Sequence, residues 1–378
     1  MKKRELVVFA GQSNMMGAGV LPPKIKIEAE NSFEYKHKNK RLASQGEFTP
    51  ANNPAGEFSY VDIEFAYSDE NRDNSGNSRL NDYIHTTYFC PAMYNLSPTG
   101  KGELSFSTFS ESAPQGGACI APLFAMEWEG LGQVSAYAHI AKGGVSIKHY
   151  FTDAMGEEYK EKMELYNEKY GRSYNTQLNL NGRQAGAAEY FCEKTLDFFS
   201  EAEEKFQTED LSRKIFVWIQ GESDAGYSTL EYLTMLEVLW GKLKSLGFTH
   251  FFMVRIDFFG NKRITNTMDA QELFCKFNTG CYMATRALSY IPYPRDDSYK
   301  LYKREPVEYK CGRDTAYGHG NPHINEEGFA IAAKRLAMNM DRVLNQGQMP
   351  LLEEELVTVL KYDNIDSIDA LIEAEEHN

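Results

Sequence analysis

Four polar turns carry residue types that could together perform acyl transfer. Segments 11–14 (GQSN) and 220–224 (QGESD) each follow an apolar run, a third run ends in 142–144 (KGG), and His323 lies in a fourth turn. They supply a hydroxyl nucleophile, carboxylates, an imidazole and small-residue turns with N–H donors, which cleavage of an ester through an acyl-enzyme requires. Each turn alone is typical of an ordinary cap or strand-to-helix turn, so only the combination predicts a hydrolytic site.

The elements that must position these turns alternate along the chain. Apolar, β-branched runs predict strands buried on both faces, at 6–10, 134–141, 215–219 and 250–256. Helical segments are predicted between and after them, at 118–129, 153–169, 184–206, 229–246, 269–288 and 325–344. Strands separated by helices need crossover connections, so we expect an α/β fold with a mostly parallel sheet covered on both faces. Ligands bind beyond the carboxyl ends of such strands, where the polar turns lie.

Segment 22–110 loses this periodicity and is predicted to be a long irregular insertion after the first turn. It contains several aromatic residues, which suit either a lid over a sugar or packing within a small subdomain: Tyr60, Tyr67, Tyr83, Tyr88 and Phe89. Segment 292–313 is predicted to be a polar loop with at most one short strand.

The last segment, 351–378, is strongly acidic, with nine acidic residues and one lysine. Its apolar residues predict one or two short helices docked on the domain, and the alternative is an acidic peptide that binds a protein partner of unknown identity. We therefore divide the chain into a catalytic domain, 1–347, and an acidic helical tail, 348–378.

Composition excludes several classes of protein. The 378 residues carry a net charge of −14, so the overall field repels nucleic acid and anionic membrane surfaces. No apolar run approaches the ~20 residues of a membrane span, and the first run is too short for a signal peptide, so we expect a cytoplasmic protein.

No cofactor or metal is predicted. The six cysteines show no CxxC pair, which favours buried thiols over a disulfide framework or a zinc site. His319 and His323 have the spacing of a helical metal pair, but Gly320 and Pro322 between them disfavour a helix.

The motif segments resemble those of a known family. Segments 11–15 (GQSNM), 141–147 (AKGGVSI), 218–224 (WIQGESD) and the region around His323 resemble, in order and spacing, the conserved blocks of the SGNH hydrolases. They are most similar to the sialate O-acetylesterase-like group that includes carbohydrate esterase family six. The resemblance implies a three-layer αβα sandwich with a flavodoxin-like sheet and a serine esterase that removes O-acetyl groups from a carbohydrate.

The resemblance also implies residue roles. Ser13 would be the nucleophile, and His323 would accept its proton and later return it to the sugar alcohol. The Ser13 N–H, the Gln220 amide and a glycine N–H would surround the oxyanion. That glycine is Gly117 or its neighbour Gly116, or Gly144 or its neighbour Gly143, and Gln12 and Asn14 would contact substrate.

One departure bears on the third member of the triad. Many SGNH enzymes carry aspartate three residues before the histidine, where this chain has Gly320. Glu222 is the preferred replacement, ahead of Asp224 and Asp314, and a dyad without an acid is the remaining alternative. Asp257 is expected to cap a turn.

Two other functions fit the same residues. The first is a sugar O-acetyltransferase with the same serine and histidine chemistry. The second is a catalytically silent carbohydrate-binding protein.

Overall fold

The structure is a computed structural model that describes residues 2–16, 25, 27–39, 84–91, 119–180, 187–256, 258–259, 262–289, 324, 326–354, 360 and 362–376. The described strands are β1 (Glu5–Gly11), β2 (Phe33–Asn39), β3 (Ile84–Pro91), β4 (Ser135–Ala141), β5 (Lys214–Ile219), β6 (His250–Val254), β7 (Phe258–Phe259), β8 (Lys262–Arg263) and β9 (Cys281–Thr285). The described helices are α1 (Ser13–Met16), α2 (Ile120–Gly130), α3 (Asp153–Tyr170), α4 (Ala187–Lys205), α5 (Thr229–Ser245), α6 (Thr265–Phe277), α7 (Glu326–Leu344) and α8 (Ile368–Glu376).

The main sheet has the order β3-β2-β4-β1-β5-β6-β9. Its strands from β2 to β9 run parallel, and β3 pairs antiparallel with β2 at one edge. Within it, β4-β1-β5-β6-β9 is the 2-1-3-4-5 order of flavodoxin-like sheets. The register aligns Gly11 with Ala141 on one side and with Ile219 on the other. The turns that follow β1, β4 and β5 therefore begin at the same level of one sheet edge.

Side chains on β1 alternate between two hydrophobic cores because successive strand residues point to opposite faces. Leu6, Val8 and Ala10 pack into the core beneath α3, α4, α5 and α6. Val7 and Phe9 pack into the core beneath α2 and α7. Helices thus cover both faces of a mostly parallel sheet, which confirms the predicted three-layer α/β fold.

The predicted helix 269–288 is wrong in its second half. The helix α6 begins earlier, at Thr265, and ends at Phe277, and the chain then enters β9. Gly280 has a φ of +83° just before the strand, and a Cβ there would lie 3.2 Å from the Thr249 carbonyl oxygen. This left-handed turn lets Cys281 align with Phe251 of β6, which a continued helix would not permit.

The predicted irregular insertion, 22–110, is also wrong in part, because it contains β2 and β3. Phe33 and Tyr35 of β2 align with Ala136 and Ala138 of β4, so the insertion adds strands to the sheet beside β4. The alternation of aromatic and charged residues over 33–36 (FEYK) was a signal for this strand. Tyr60, Tyr67 and Tyr83 lie outside the described residues, as does segment 292–313.

The described part of the acidic tail contacts the domain. Leu371 and Ile372 of α8 are buried in the core that contains α5 and α6. The Tyr174 hydroxyl donates to the Glu375 carboxylate at 2.8 Å, and the Lys276 ammonium donates to the Asp363 carbonyl oxygen at 3.1 Å. These contacts agree with the prediction that the tail forms short helices docked on the domain.

Two further features concern the described residues alone. None of their helices combines the length and apolar character that crossing a bilayer demands. Among the described residues, four cysteines are free thiols: Cys119, Cys192, Cys275 and Cys281.

Candidate active site

The candidate nucleophile stands directly beyond the central strand. Ser13 is the first residue of the short helix α1, two positions after β1 ends at Gly11. It is buried but still 8% exposed, and within the described part of the chain nothing hydrogen-bonds its hydroxyl. A hydroxyl in this position can meet a ligand that enters over the carboxyl ends of the strands.

Gly11 makes the sharp exit from β1 possible. Its φ is +149°, and a Cβ atom there would lie only 1.9 Å from the Ile219 carbonyl oxygen of β5. The Tyr150 hydroxyl binds both polar groups of this glycine, because it accepts from the Gly11 N–H at 2.9 Å and donates to the Gly11 carbonyl oxygen at 2.7 Å. Tyr150 packs edge-on against Trp218, with ring centroids 4.9 Å apart, and complete burial raises the pKa of its hydroxyl.

His139 of β4 contacts the helix α1, which contains Ser13. Its Nε2 lies 2.6 Å from the Met15 carbonyl oxygen, so the ring carries its proton on Nε2 and donates to α1. Because the imidazole is buried and binds the backbone of α1, we assign His139 to positioning that helix.

Asn14 joins three separate segments of the chain. Its amide nitrogen donates to Glu222 Oε1 at 2.6 Å, and its amide oxygen accepts from the Ile324 backbone N–H at 3.1 Å. Asn14, Glu222 and Ile324 are all at most 2% exposed. The predicted carboxylate and the residue bonded directly to His323 therefore bind opposite ends of one amide group, beside Ser13.

Gln220 has a more crowded environment than its predicted role suggests. Its amide nitrogen donates to the Val145 carbonyl oxygen at 3.1 Å and to Gln12 Oε1 at 3.3 Å, and it also contacts the Asp224 carboxylate. Its amide oxygen accepts from the Tyr232 hydroxyl at 2.7 Å. Gln220 would have to exchange one of these contacts to donate to an oxyanion, and that assignment remains a prediction.

Gln12 is held by the same turn. Its side-chain oxygen accepts from the Ser223 N–H at 3.3 Å as well as from Gln220. Gln12 and Asn14 are only 3% and 2% exposed, so their described contacts are with the protein. Their predicted contact with substrate remains a prediction.

Asp224 is a buried carboxylate that binds the neighbouring turn. It accepts from the Ser146 hydroxyl through Oδ1, and through Oδ2 from the Ile147 N–H at 2.9 Å and from the Gln220 amide. Burial raises the pKa of this carboxyl, and the hydrogen bonds oppose that shift. Both carboxylate oxygens are engaged, which makes Asp224 a weaker candidate than Glu222 for orienting a histidine.

The glycine turn after β4, which contains Gly143 and Gly144, has free space beside it. Gly144 is exposed with a φ of +70°, and nothing approaches within 4 Å of the position that a Cβ would take. Lys142, two residues earlier, is half-buried, and burial lowers the pKa of its ammonium group. The backbone at this turn is accessible to a ligand.

Other predicted site residues lie outside the described part of the chain. They are Gly116, Gly117, Asp257, Asp314, His319, Gly320 and His323. Within the described ranges, no group of three or more His, Cys, Asp or Glu side chains could hold a metal ion.

The sequence patterns did not predict the buried side chains that hydrogen-bond to the site turns. Tyr150, His139 and Tyr232 contact the site turns, yet each lies in a strand, a helix or a short turn outside the motif segments. Only the three-dimensional packing identifies them, because an isolated tyrosine or histidine in a core segment carries no sequence signal.

Comparisons with known proteins give structural similarity only. No protein-family model matches this chain, and no curated protein sequence matches it. A solved structure of an Arabidopsis thaliana protein is similar with a TM-score of 0.44 and 13% identity, covering 89% of this chain and 97% of that one. XAC1771, a carbohydrate acetylesterase from Xanthomonas citri, is similar with a TM-score of 0.42 and 11% identity, covering 91% of this chain and 57% of that one.

NanS is a third similar structure, with a TM-score of 0.45 and 12% identity, and the alignment covers 91% of this chain and 98% of NanS. This chain spans little more than half the length of the Xanthomonas citri enzyme. The similar solved structures thus include a carbohydrate acetylesterase.

Proposed function

We propose that this protein is a serine esterase that removes O-acetyl groups from a carbohydrate. The observation that carries the proposal is the pair of hydrogen bonds made by Asn14, which joins the Glu222 turn and the chain beside His323 to the residue after Ser13. These segments are separated in sequence by 208 and 310 positions, respectively. The substrate class comes from the resemblance of the four motif segments to the SGNH hydrolases.

The proposed reaction begins with attack of Ser13 Oγ on the acetyl carbonyl carbon. His323 accepts the hydroxyl proton, and the carbonyl π electrons move to oxygen to form a tetrahedral oxyanion. Collapse of this intermediate breaks the bond to the sugar oxygen, which leaves with the proton from His323. Water, deprotonated by His323, then attacks acetyl-Ser13 and releases acetate and the free serine.

Two groups stabilise the charges in this mechanism. The Ser13 N–H lies at the amino end of α1 and can donate to the oxyanion, together with the open Gly143–Gly144 turn or the Gly116–Gly117 pair. Glu222 is assigned to orient the His323 imidazole and to stabilise its protonated form. The hydrogen bond from the Asn14 amide supports this role, because a donor fixes the orientation of the carboxylate and favours its ionised form.

Release of acetate tests the proposal directly. The purified protein is incubated with a chromogenic acetyl ester and with a panel of acetylated saccharides, and acetate and deacetylated sugar are measured. We expect turnover by the wild type and a loss on the order of 10⁶-fold, to background, in Ser13→Ala. Absence of hydrolysis on every ester, or equal activity of Ser13→Ala, would overturn the proposal.

The same assay separates hydrolysis from transfer. An unacetylated sugar acceptor is added, and its acetylated product is compared with free acetate. The proposed hydrolase releases acetate at an unchanged rate without acetylating the acceptor. Stoichiometric acetylation of the acceptor would instead identify an O-acetyltransferase.

A further inference from the structure

Asp224 is a buried carboxyl group that the proposed mechanism does not use. Its side chain is 1% exposed, and its two oxygens accept from Ser146, Ile147 and Gln220. A carboxylate is costly to bury unless such donors surround it. These donors lie on two different turns, which the carboxylate therefore connects.

The donors come from turns on opposite sides of the nucleophile strand. Ser146 and Ile147 follow β4, whereas Gln220 and Asp224 itself follow β5, and β1 lies between these strands in the sheet. Asp224 therefore joins the two flanking turns at the sheet edge from which Ser13 projects. The Val145 carbonyl oxygen adds a second link, because it accepts from the Gln220 amide at 3.1 Å.

The same carboxylate also reaches the nucleophile turn indirectly. The Ser146 hydroxyl accepts from the Lys148 N–H at 3.3 Å and caps the 3₁₀ turn Ile147–Tyr150. Tyr150 at the end of that turn binds both backbone polar groups of Gly11. A displacement of Ser146 would therefore move the glycine turn before it and the tyrosine after it.

We propose that Asp224 is a positioning residue that clamps the glycine turn after β4 to the Gln220 turn and so fixes the oxyanion donors relative to Ser13. This inference rests on the proposed esterase function. Asp224 acts in it as a hydrogen-bond acceptor and not as the anion of the triad. Donor position matters because displacement of a reacting or stabilising group by about 1 Å can cost about 10²-fold in rate.

An acceptor role and a charge role give different results on substitution. In Asp224→Asn, the amide oxygen can accept from Ile147 and Gln220, and the amide nitrogen can donate to the Ser146 hydroxyl, which is able to accept. The clamp keeps its shape without the charge. In Asp224→Ala, three donors lose their shared acceptor within the protein interior.

The test compares the two variants in kcat, KM and thermal unfolding. We expect kcat to fall by about 10²-fold in Asp224→Ala with little change in KM, and to stay within about fivefold of wild type in Asp224→Asn. Asp269→Ala is the matched control, since Asp269 is equally buried but accepts from the Leu360 N–H, in the tail. We expect it to lower the unfolding temperature and to leave kcat unchanged.

Hydrogen exchange of the backbone supplies a second measurement that does not depend on ester hydrolysis. Amides of the segment 142–147 should exchange faster in Asp224→Ala than in wild type and at the wild-type rate in Asp224→Asn. If Asp224→Ala fails to fold, Ser146→Ala should show the same exchange effect together with a kcat loss of about tenfold.

Three results would overturn the inference. Equal loss of kcat in Asp224→Asn and Asp224→Ala would make the charge itself the requirement. Unchanged kcat in Asp224→Ala, or unchanged exchange at 142–147, would remove the clamp. Failure of wild-type hydrolysis would contradict the proposed function alone, because the exchange measurement would still decide whether Asp224 holds the turn.

Discussion

At the residue scale, Asn14 organises the candidate site. Its amide is buried and binds Glu222 and Ile324, and the substrate contact that the resemblance implies for it remains a prediction. A neutral amide suits this place because it offers a donor to the carboxylate and an acceptor to the backbone N–H. The serine, the carboxylate and the chain beside the histidine are thereby held in relation to one another by a single side chain.

Glu222 allows a prediction at this scale. We expect Glu222→Gln to lower kcat by about 10⁴-fold, because it removes the anion that would stabilise protonated His323. The substituted side chain keeps an oxygen that can accept from Asn14, so the fold should persist. Steady-state kinetics and thermal unfolding of the purified variant measure the two effects separately.

Glu231→Gln is the control for Glu222→Gln. Glu231 is also a buried glutamate, but it belongs to the capping box of α5, where its carboxylate accepts from the Ser228 N–H at 2.8 Å. We expect this variant to change stability and not kcat. Near-normal turnover of Glu222→Gln would remove Glu222 from the mechanism and leave a dyad.

At the scale of elements, the site depends on strands that end together. The parallel register of β4, β1 and β5 brings their carboxyl ends level, and short turns then carry the chemistry. Among the glycines of the described ranges, Gly11 has the least space for a side chain, since the β5 backbone occupies the position that a Cβ would take. The sharpness of this turn places Ser13 at the sheet edge.

Gly11→Ala tests this requirement. A Cβ at that position would overlap the Ile219 carbonyl oxygen, so β1 or β5 must shift, and we expect a loss of at least about 3 kcal/mol in the free energy of unfolding. Gly241→Ala is the matched control, because Gly241 lies in helix α5 with nothing within 4 Å of its Cβ position. It should gain about 0.5–1 kcal/mol.

Chemical denaturation of both glycine variants provides the comparison. Equal stability of Gly11→Ala and wild type would contradict the close approach of β1 and β5 at this turn. A loss in both variants would show instead that any added methyl group is harmful.

Sequence patterns predicted the central elements well and the periphery less well. The runs that became β1, β4, β5 and β6 are continuous apolar segments, whose burial on both faces leaves an unambiguous signal. The strand β9 was mistaken for helix because its five residues follow α6 after only a short turn. The strand β2 was missed because its alternating segment, 33–36, is only four residues long, and because its pairing with β4 depends on residues far away in the sequence.

The candidate site likewise contains some residues that local motifs predict and others that only tertiary packing reveals. Motifs made Ser13 and Glu222 candidates, since their turns contain unusual combinations of polar residues and glycine, and their roles remain predictions. They did not identify Tyr150 or His139, whose hydrogen bonds to the backbone of Gly11 and Met15 arise only after the strands assemble. The placing of positioning residues depends on tertiary contacts that no local pattern encodes.

At the scale of the whole molecule, the acidic tail is partly used for internal contacts. The Glu353 carboxylate accepts from the Arg286 N–H at 2.8 Å and from the Thr285 hydroxyl at 2.9 Å, at the end of β9. Arg286 in turn binds Glu272, which also pairs with the buried Arg255. Glu353 of the tail thus joins a network of ion pairs and hydrogen bonds with Arg286, Glu272 and Arg255. The tail therefore contacts the fold as well as carrying negative charge.

The molecule as a whole brings together segments from its two ends. The Ile324 N–H binds Asn14 across 310 positions of sequence, and helix α7, which follows, packs into the same core as α2. We propose that this long-range hydrogen bond places His323, the residue before Ile324, where it can act as the base for Ser13. The reactivity of one serine therefore reports on the assembly of the whole domain.

Labelling by a fluorophosphonate tests this claim most directly. The wild-type protein and His323→Ala are treated with the reagent, the rate of labelling is followed by intact mass, and the labelled peptide is sequenced by fragmentation. The account predicts a single phosphonylated residue, Ser13, and labelling slower by about 10²–10⁴-fold in folded His323→Ala. A label on another serine, no label on folded wild-type protein, or equal rates in the two proteins would contradict it.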